Sequence, residues 1–544
     1  MPLVQCAAYS LTASMLLVHR LLLVVALLAS LALASAAASA KTLRVSLSDD
    51  ATTLDPHAAN LAINNRLLNN IYERLVRRDK DFNIVPALAV SWSQPDAKTW
   101  RFKLRPNVKF HDGSALTADD VVFSVGRALH PLSSMRWTAQ GVASVKREDD
   151  LTVDMVMAEP NPVLLLHLIN LPIMSKPWSA KNKVLTPQNY AEKEETIAAR
   201  STNGTGPFML ASRQPDVKTV LVEHKQWWNR EAADRGNITI VEWIPIKSNS
   251  TRMAALLSGS VDFVADPPVQ DRERLNTTLG MKLQVTSEAR VVFFGFDQFR
   301  DELLSGSVKG KNPFKDLRVR QAMAHAIDAD LIVSKVMRGY GRPTALIIGR
   351  EVQGYEPELD RRLPVDVPRA KKLMAEAGYA NGFEITMDCV NQTPFGEICQ
   401  AVAPQLAAIG IKLKLNMVSF TNVFQQLDKY DTAIYVMGYA ASTLDSYQVL
   451  QAQMQSVGAR GSSTAESNWG RYNNPKIDAL LKRIRVELDM AKRNTMIREA
   501  LTIQRDDLAM LPIFQAAVAW AMRKNVEAPY VPNNLPYWYR FSIN

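Results

Sequence analysis

The sequence predicts an α/β protein of more than one domain, and three observations carry that prediction. The chain has 544 residues, 47% of them hydrophobic, enough for a large core shared among roughly two to four domains at about 150 residues each. Period-two alternation and turn residues dominate from Val85 to Val156. From Phe293 onward, helix-period and strand-period segments alternate, the pattern of a sheet with covered faces.

The first forty residues stand apart from that fold. Arg20 is their single charge, LLLVVALLASLALA (21–34) follows it, and the segment ends in Ala38-Ser39-Ala40. A basic start, a short apolar core and an A-x-A site predict a secretory signal peptide, residues 1–40, cut before Lys41. The competing reading is a membrane anchor, but the apolar run is short of the roughly 20 residues that span a bilayer. Met15 is an alternative start for the same signal. No later segment is apolar enough to span, so the exported chain is expected to be soluble.

The mature start, TLRVSLSDDATTLDPHAA (42–59), reads as one strand running into a loop. Leu61, Leu67, Leu68, Ile71 and Leu75 then recur at helical spacing. In WRFKLRPNVKFHDGSALTADDVVFSV (100–125), Trp100, Phe102 and Leu104 alternate with charges, the mark of a strand with one buried face. Pro106 stops it, and Asp112-Gly113 is a turn; His111 and Asp112 read as turn residues rather than a catalytic pair. Thr117, three residues before Asp120, opens a helix of the capping-box kind with Val121, Val122 and Val125 inward. The glycines and proline of 201–214 mark a place for the chain to cross back between domains, and 238–246 is an apolar strand. After it, STRMAALLSGSVDFV predicts a helix, a Gly259 cap and a buried strand.

In the second half, Asp316 and Asp328 are N-cap candidates for two successive helices, with Gly339 closing the second. Asp366 caps a third, with Pro368 in its first turn, Ala370, Leu373, Met374 and Ala377 as its buried stripe and Gly378 at its end. A helix over 398–409 leads to the strand IKLKLNMV. One long amphipathic helix is expected over 474–509, then a strand-rich LPIFQAAVAWAMRK.

The formal charge of +10 invites a nucleic-acid reading, but Lys and Arg are interspersed with acids and no run of five like charges occurs, so solvated surface is the better account. Of three cysteines, Cys6 leaves with the signal; Cys389 and Cys399 remain, and in an oxidising compartment they are expected to close a small loop. Metal binding by the pair is disfavoured by its spacing and the lack of a nearby histidine. No G-x-S-x-G, H-E-x-x-H, C-x-x-C or phosphate-loop motif is present, and the seven histidines form no ligand-spaced pair, so an enzyme, such as a secreted hydrolase, is the minor alternative.

The order of several segments resembles the family 5 extracellular solute-binding proteins, the dipeptide-, oligopeptide- and nickel-binding components of ABC importers. The carriers, in order across 41–544, are TLDPH, IYERL, WRFKLRPNVKFHDGSALTADDVVFS, GTGPF, RMAALLSGSVDFV, PFKDLRVRQAMAHAID, AKKLMAEAGY and NPKIDALLKRIRVELDMAKR. The resemblance implies a two-lobed periplasmic-binding-protein clamshell of type II, with an extra subdomain on lobe I. Its expected divisions are lobe I in 41–83, 204–290 and 510–544, the extra subdomain in 84–203, and lobe II in 291–509. It implies a periplasmic receptor that closes on a peptide or peptide-like solute and presents it to ABC permease subunits in the inner membrane. The receptor is expected to be a monomer, with no cofactor, no resident metal and no nucleic-acid partner. A non-peptide solute (metal chelate, glycoside or opine-like) stays open, as does delivery to a sensor instead of a permease.

The resemblance also points to the stretch YVMGYAASTLDSYQVL (435–450), where the family keeps Gly-Trp followed by acidic residues. Tyr439 stands at the tryptophan position. Ser442 stands where peptide-binding members carry the aspartate that pairs with the ligand amino group, and Asp445 matches a second acidic position. From Ile385 to Ile411, where those members place an arginine for the ligand carboxylate, there is no Arg, Lys or His. A zwitterion buried without those partners costs several kcal/mol, so a less charged or longer solute is expected. The expected contacts are Tyr439, Ser442, Thr443 and Asp445, with Trp469 and Tyr472 as aromatic walls and Asn60 from the first lobe. Asp445 also fits an N-cap for SYQVLQAQM, and the two aromatics also fit ordinary core packing. His57 reads as structural, and no other histidine is expected near the cleft.

Overall fold

The computed structural model describes residues 41–79, 82–391, 394–458, 465 and 467–544; the signal-peptide expectation lies outside them. Two long strands organise the molecule. Met281–Phe296 and Leu511–Arg523, of 16 and 13 residues, run antiparallel from the pair Met281/Arg523 to the pair Phe294/Leu511. At about 3.3 Å per residue the longer one reaches roughly 50 Å, far enough to serve two lobes.

The two ends of this pair carry different neighbours. Toward one end, Phe263–Ala265 pairs with residues 520–522, and the sheet continues through Thr42–Leu47, Ile240–Pro245, Lys218–Glu223 and Phe208–Gln214. Toward the other, residues 290–296 pair with Ile434–Ala440, and the sheet continues through Phe383–Val390 and Ile411–Val418. The first side packs a core around Trp243, Phe263, Trp520 and Trp538. The second side has its own cores, one around Phe294, Phe314 and Ile398, the other around Phe293, Tyr447 and Ile497. Between them the ladder slips at 288–290. An irregularity of this kind locally bends the bulged strand.

A separate four-stranded antiparallel sheet, in the order Ala89–Asp96, Thr99–Leu104, Thr152–Met157 and Val142–Asp149, holds the period-two block read from the sequence. Trp100, Phe102 and Leu104 are buried in its core with Val121 and Val125 of the helix Ala118–Leu129. At that helix start the Asp120 carboxylate accepts from the Thr117 backbone N–H at 2.9 Å.

The TLDPH loop is locked to this subdomain by charge. Arg127 forks both oxygens of Asp55 at 2.7 and 2.6 Å, with neither side chain exposed. Burial alone would raise the Asp55 pKa, but the Arg127 hydrogen bonds hold it below the ordinary carboxylate range. His57 is buried beside it, its Nε2 3.0 Å from the Pro172 carbonyl, and burial pushes it down to about 3, so it is neutral.

Aspartates cap the helices as the sequence indicates: Asp316, Asp328 and Asp366 each accept from a backbone N–H of the following turn. Three expectations need correction. The helix expected from 61 to 75 covers only Ala62–Leu68; Ile71 and Leu75 are buried from the turn and loop that follow, so their spacing mimics a helix. The expected helix over 474–509 is two, Pro475–Ile484 and Met490–Asp507, because Asp489 caps the second by accepting from the Ala491 and Lys492 N–H groups. The helix after Asp328 holds one short α segment and then widens into a π segment, Ile332–Val336.

Candidate functional site

The strand Ile434–Ala440 delivers its C-terminal end to the gap between the lobes, and the loop after it is tightly specified. Leu444 takes a φ of 56°, a conformation that costs a side-chain-bearing residue roughly 1–2 kcal/mol. Its carbonyl accepts from Gln353 N–H at 2.8 Å, and the Gln353 carbonyl accepts from Ser446 N–H at 3.2 Å. The helix Ser446–Met454 then starts under an Asp445 cap, whose carboxylate accepts from Tyr447 N–H at 2.8 Å.

This loop and helix form one wall of a cavity of about 290 Å³, with Tyr439, Ala440, Ser442, Tyr447, Gln448 and Gln451 in the lining. The opposite wall comes from the first lobe and its subdomain: Asn60, Ser134, Trp137, Gln140 and His167. No lining residue carries a formal charge at neutral pH. His167 is no exception, because burial pushes its pKa down to about 4. The Trp137 and His167 rings meet edge to face at 6.1 Å, and both Trp137 Nε1 and His167 Nδ1 are buried without a hydrogen-bond partner among the described residues. Buried polar atoms are nearly always paired, and these two unpaired ones share a single cavity lining. Gln448 supplies a further oriented group. Its Oε1 accepts from the Thr443 N–H and hydroxyl at 3.0 and 2.9 Å, which leaves its amide nitrogen to donate.

The structure places three of the expected contacts, Asn60, Tyr439 and Ser442, in this lining. Thr443 is not among them. It is buried, its hydroxyl is committed to Gln448, and its carbonyl accepts from Arg78 of the first lobe at 2.6 Å, so it ties the lobes together. Asp445 is also removed from the site: Arg493 takes both its oxygens at 2.7 and 2.8 Å behind the cavity wall. Trp469 packs in the second-lobe core, edge-on to Phe424 and Tyr435 at 5.6 and 6.0 Å. Tyr472 is buried there too, its hydroxyl donating to Asp507 at 2.5 Å. Both aromatics are core.

Trp137 and His167 escaped the sequence reading, and the expectation that no histidine but His57 lies near the cleft is corrected by His167. Neither belongs to a periodic pattern or a motif. The signal that was available is chemical: a Trp and a His in a subdomain otherwise read as scaffold.

Residues 83–461 match the family described as bacterial extracellular solute-binding proteins, family 5. The chain is similar to heme-binding protein A of Haemophilus influenzae, 27% identical over 473 residues that cover 81% of each chain. It is also similar to the glutathione-binding protein GsiB of Escherichia coli K12, 24% identical over 94% of this chain and 96% of that one. Among solved structures, the Helicobacter pylori periplasmic binding protein DppA in complex with the peptide STSA aligns with a TM-score of 0.77, 22% identity, 93% of this chain and 98% of that one. AgaA of A. tumefacien R10 in complex with agropinic acid aligns with a TM-score of 0.75, 24% identity, 93% of this chain and 99% of that one.

Proposed function

Because the chain belongs to the family 5 bacterial extracellular solute-binding proteins, we propose that it is the periplasmic receptor of an ABC importer, capturing a peptide or peptide-like solute between its lobes. The observation that carries this reading is the cavity walled by both lobes, with Trp137 Nε1 and His167 Nδ1 inside it, both unpartnered among the described residues. Closure of the lobes about the 288–290 irregularity buries the solute, and the closed form is what a permease recognises. Export by cleavage before Lys41, a monomeric receptor and inner-membrane permease subunits as partners complete the proposal. Among the described residues no helix is long and apolar enough to cross a membrane.

The lining argues for the kind of group held. Ser442, Gln448, Gln451, Gln140 and Asn60 offer neutral donors and acceptors, and Tyr439 and Trp137 offer faces. An α-ammonium there would be buried without a carboxylate, at a cost of several kcal/mol. Amide and hydroxyl groups fit, which favours a peptide's interior, or a blocked terminus, as the group held in this cavity. A glycoside or opine-like solute is the second reading the same neutral lining favours; the relatives bind haem, glutathione, a peptide and agropinic acid, so the family accommodates such variety.

The test is native mass spectrometry of the exported protein purified without denaturation. One small solute should remain on the chain and be released by unfolding. Titrated back, it should bind Trp137→Phe roughly two- to tenfold more weakly than wild type, the worth of one neutral hydrogen bond. A bare chain whose melting temperature is unmoved by peptides, glutathione or opines would count against the reading.

A further inference from the structure

The cleft does not stop at the neutral cavity. Ala440, in that lining, is paired directly with Arg290 on the strand Met281–Phe296. Directly opposed residues of antiparallel strands project on the same face, so Arg290 stands beside the neutral cavity on its cleft side. It lines a second, larger interlobe cavity of about 540 Å³.

Charge in this second cavity is unbalanced. Its lining holds Arg66, Arg252 and Arg290 against Asp266 and Glu288. Arg66 pairs with Asp266 at 2.6 Å, and the Arg290 Nε pairs with Glu288 at 3.1 Å. Arg252 spends its terminal nitrogens on the Ile246 carbonyl and the Asn249 side chain at 2.7 and 2.6 Å, and has no acid within ion-pair distance among the described residues. One positive charge is left over.

Arg290 is the arginine of this set with its fork available. Nε is its hydrogen-bonded nitrogen, and neither terminal nitrogen has a partner among the described residues. Gly438 gives its side chain room: a Cβ there would come within 3.3 Å of the Arg290 Cδ. A guanidinium with both terminal nitrogens free matches a carboxylate in a bidentate pair.

We propose that Arg290 anchors a carboxylate of an elongated solute whose neutral portion occupies the cavity of Trp137 and His167. This rests on the reading of the cleft as the solute site. It also supplies, from the hinge strand, the cation that the stretch Ile385 to Ile411 lacks.

The probes are a pancreatic digest of casein and the same digest with its carboxyl groups methyl-esterified, each offered to the full exported chain after removal of bound solute. Wild type should retain peptides from the untreated digest at least tenfold better than from the esterified one. Arg290→Gln should lose that retention roughly ten- to hundredfold, and Arg290→Lys, which keeps the charge without the fork, should recover part of it. Arg274→Gln, on an exposed helix, is the control and should match wild type. Equal retention of both digests by wild type overturns the carboxylate assignment while leaving the solute-binding reading in place. So does a folded Arg290→Gln chain that retains the untreated digest as wild type does. Retention of nothing from either digest overturns the peptide-like reading and this inference with it.

Discussion

Arg493 holds both carboxylate oxygens of Asp445, at 2.7 and 2.8 Å, and the pair is almost wholly shielded from solvent. The two residues join the helix Met490–Asp507 to the start of the helix Ser446–Met454, directly behind the wall of the neutral cavity. Asp445 therefore supports the wall without entering the lining of the cavity.

Asp445→Ala is expected to cost about 3–5 kcal/mol of stability, because it leaves a buried guanidinium uncompensated, and about 1 kcal/mol more for the lost cap. Asp445→Ser keeps the cap and should recover only that smaller part. Adding Arg493→Met to Asp445→Ala should restore much of the loss, since removing both charges removes the penalty. Urea unfolding of the four chains measures this. Unchanged stability with a large loss of solute affinity would return Asp445 to the binding site.

That pair also illustrates what a sequence conceals. The cap role of Asp445 was legible, as were Thr117, Asp316, Asp328 and Asp366, because a cap and its helix are neighbours in the chain. Arg493 lies 48 residues from its partner on a helix whose charges otherwise read as solvated, and nothing local distinguishes it. The break before Asp489 was hidden for a related reason: Leu488, four residues after the buried Ile484, continues the apolar spacing into the gap between two helices. Within the cleft, the loop after Gly438 was reached through the family resemblance carried by the order of the motifs. Its facing wall was not, because Trp137 and His167 meet it only through the packing of the subdomain.

Cys389 and Cys399 stand with their Cα atoms 6.5 Å apart and their sulfurs joined, both fully buried between strand and helix. Protein unfolded in guanidinium without reductant should present no reactive thiol. Replacing both cysteines by serine should cost about 2–3 kcal/mol, the loop-closure value for so short a loop. Two titratable thiols in freshly exported protein would reject the bridge.

Acid should weaken the fold well above the range in which ordinary carboxylates titrate. His57 and His111 are pushed down to about 3 and His167 to about 4, in each case chiefly by burial. Their stabilisation is complete above about pH 6.5, where the unfolded histidines are neutral too, and is lost as pH falls toward those folded values. Each costs about 1.4 kcal/mol per pH unit within its window. Glu73 opposes them: burial raises it to about 7 despite the Trp227 and Trp228 indoles that donate to it, so its contribution is present below about pH 4.5 and lost as pH rises through 7. Three histidines outweigh one carboxyl, and the urea midpoint should fall between pH 7.5 and 5.5. A flat or rising midpoint would mean the histidines are hydrated and free to charge.

The central claim is that one solute is held between the lobes, against Trp137 and His167 on one side and the loop after Gly438 on the other. Amide hydrogen exchange with and without the co-purified solute tests it most directly. Binding should slow exchange in two segments together, 134–140 of the first lobe and 442–452 of the second. Protection confined to one lobe, or to neither segment, would contradict the claim.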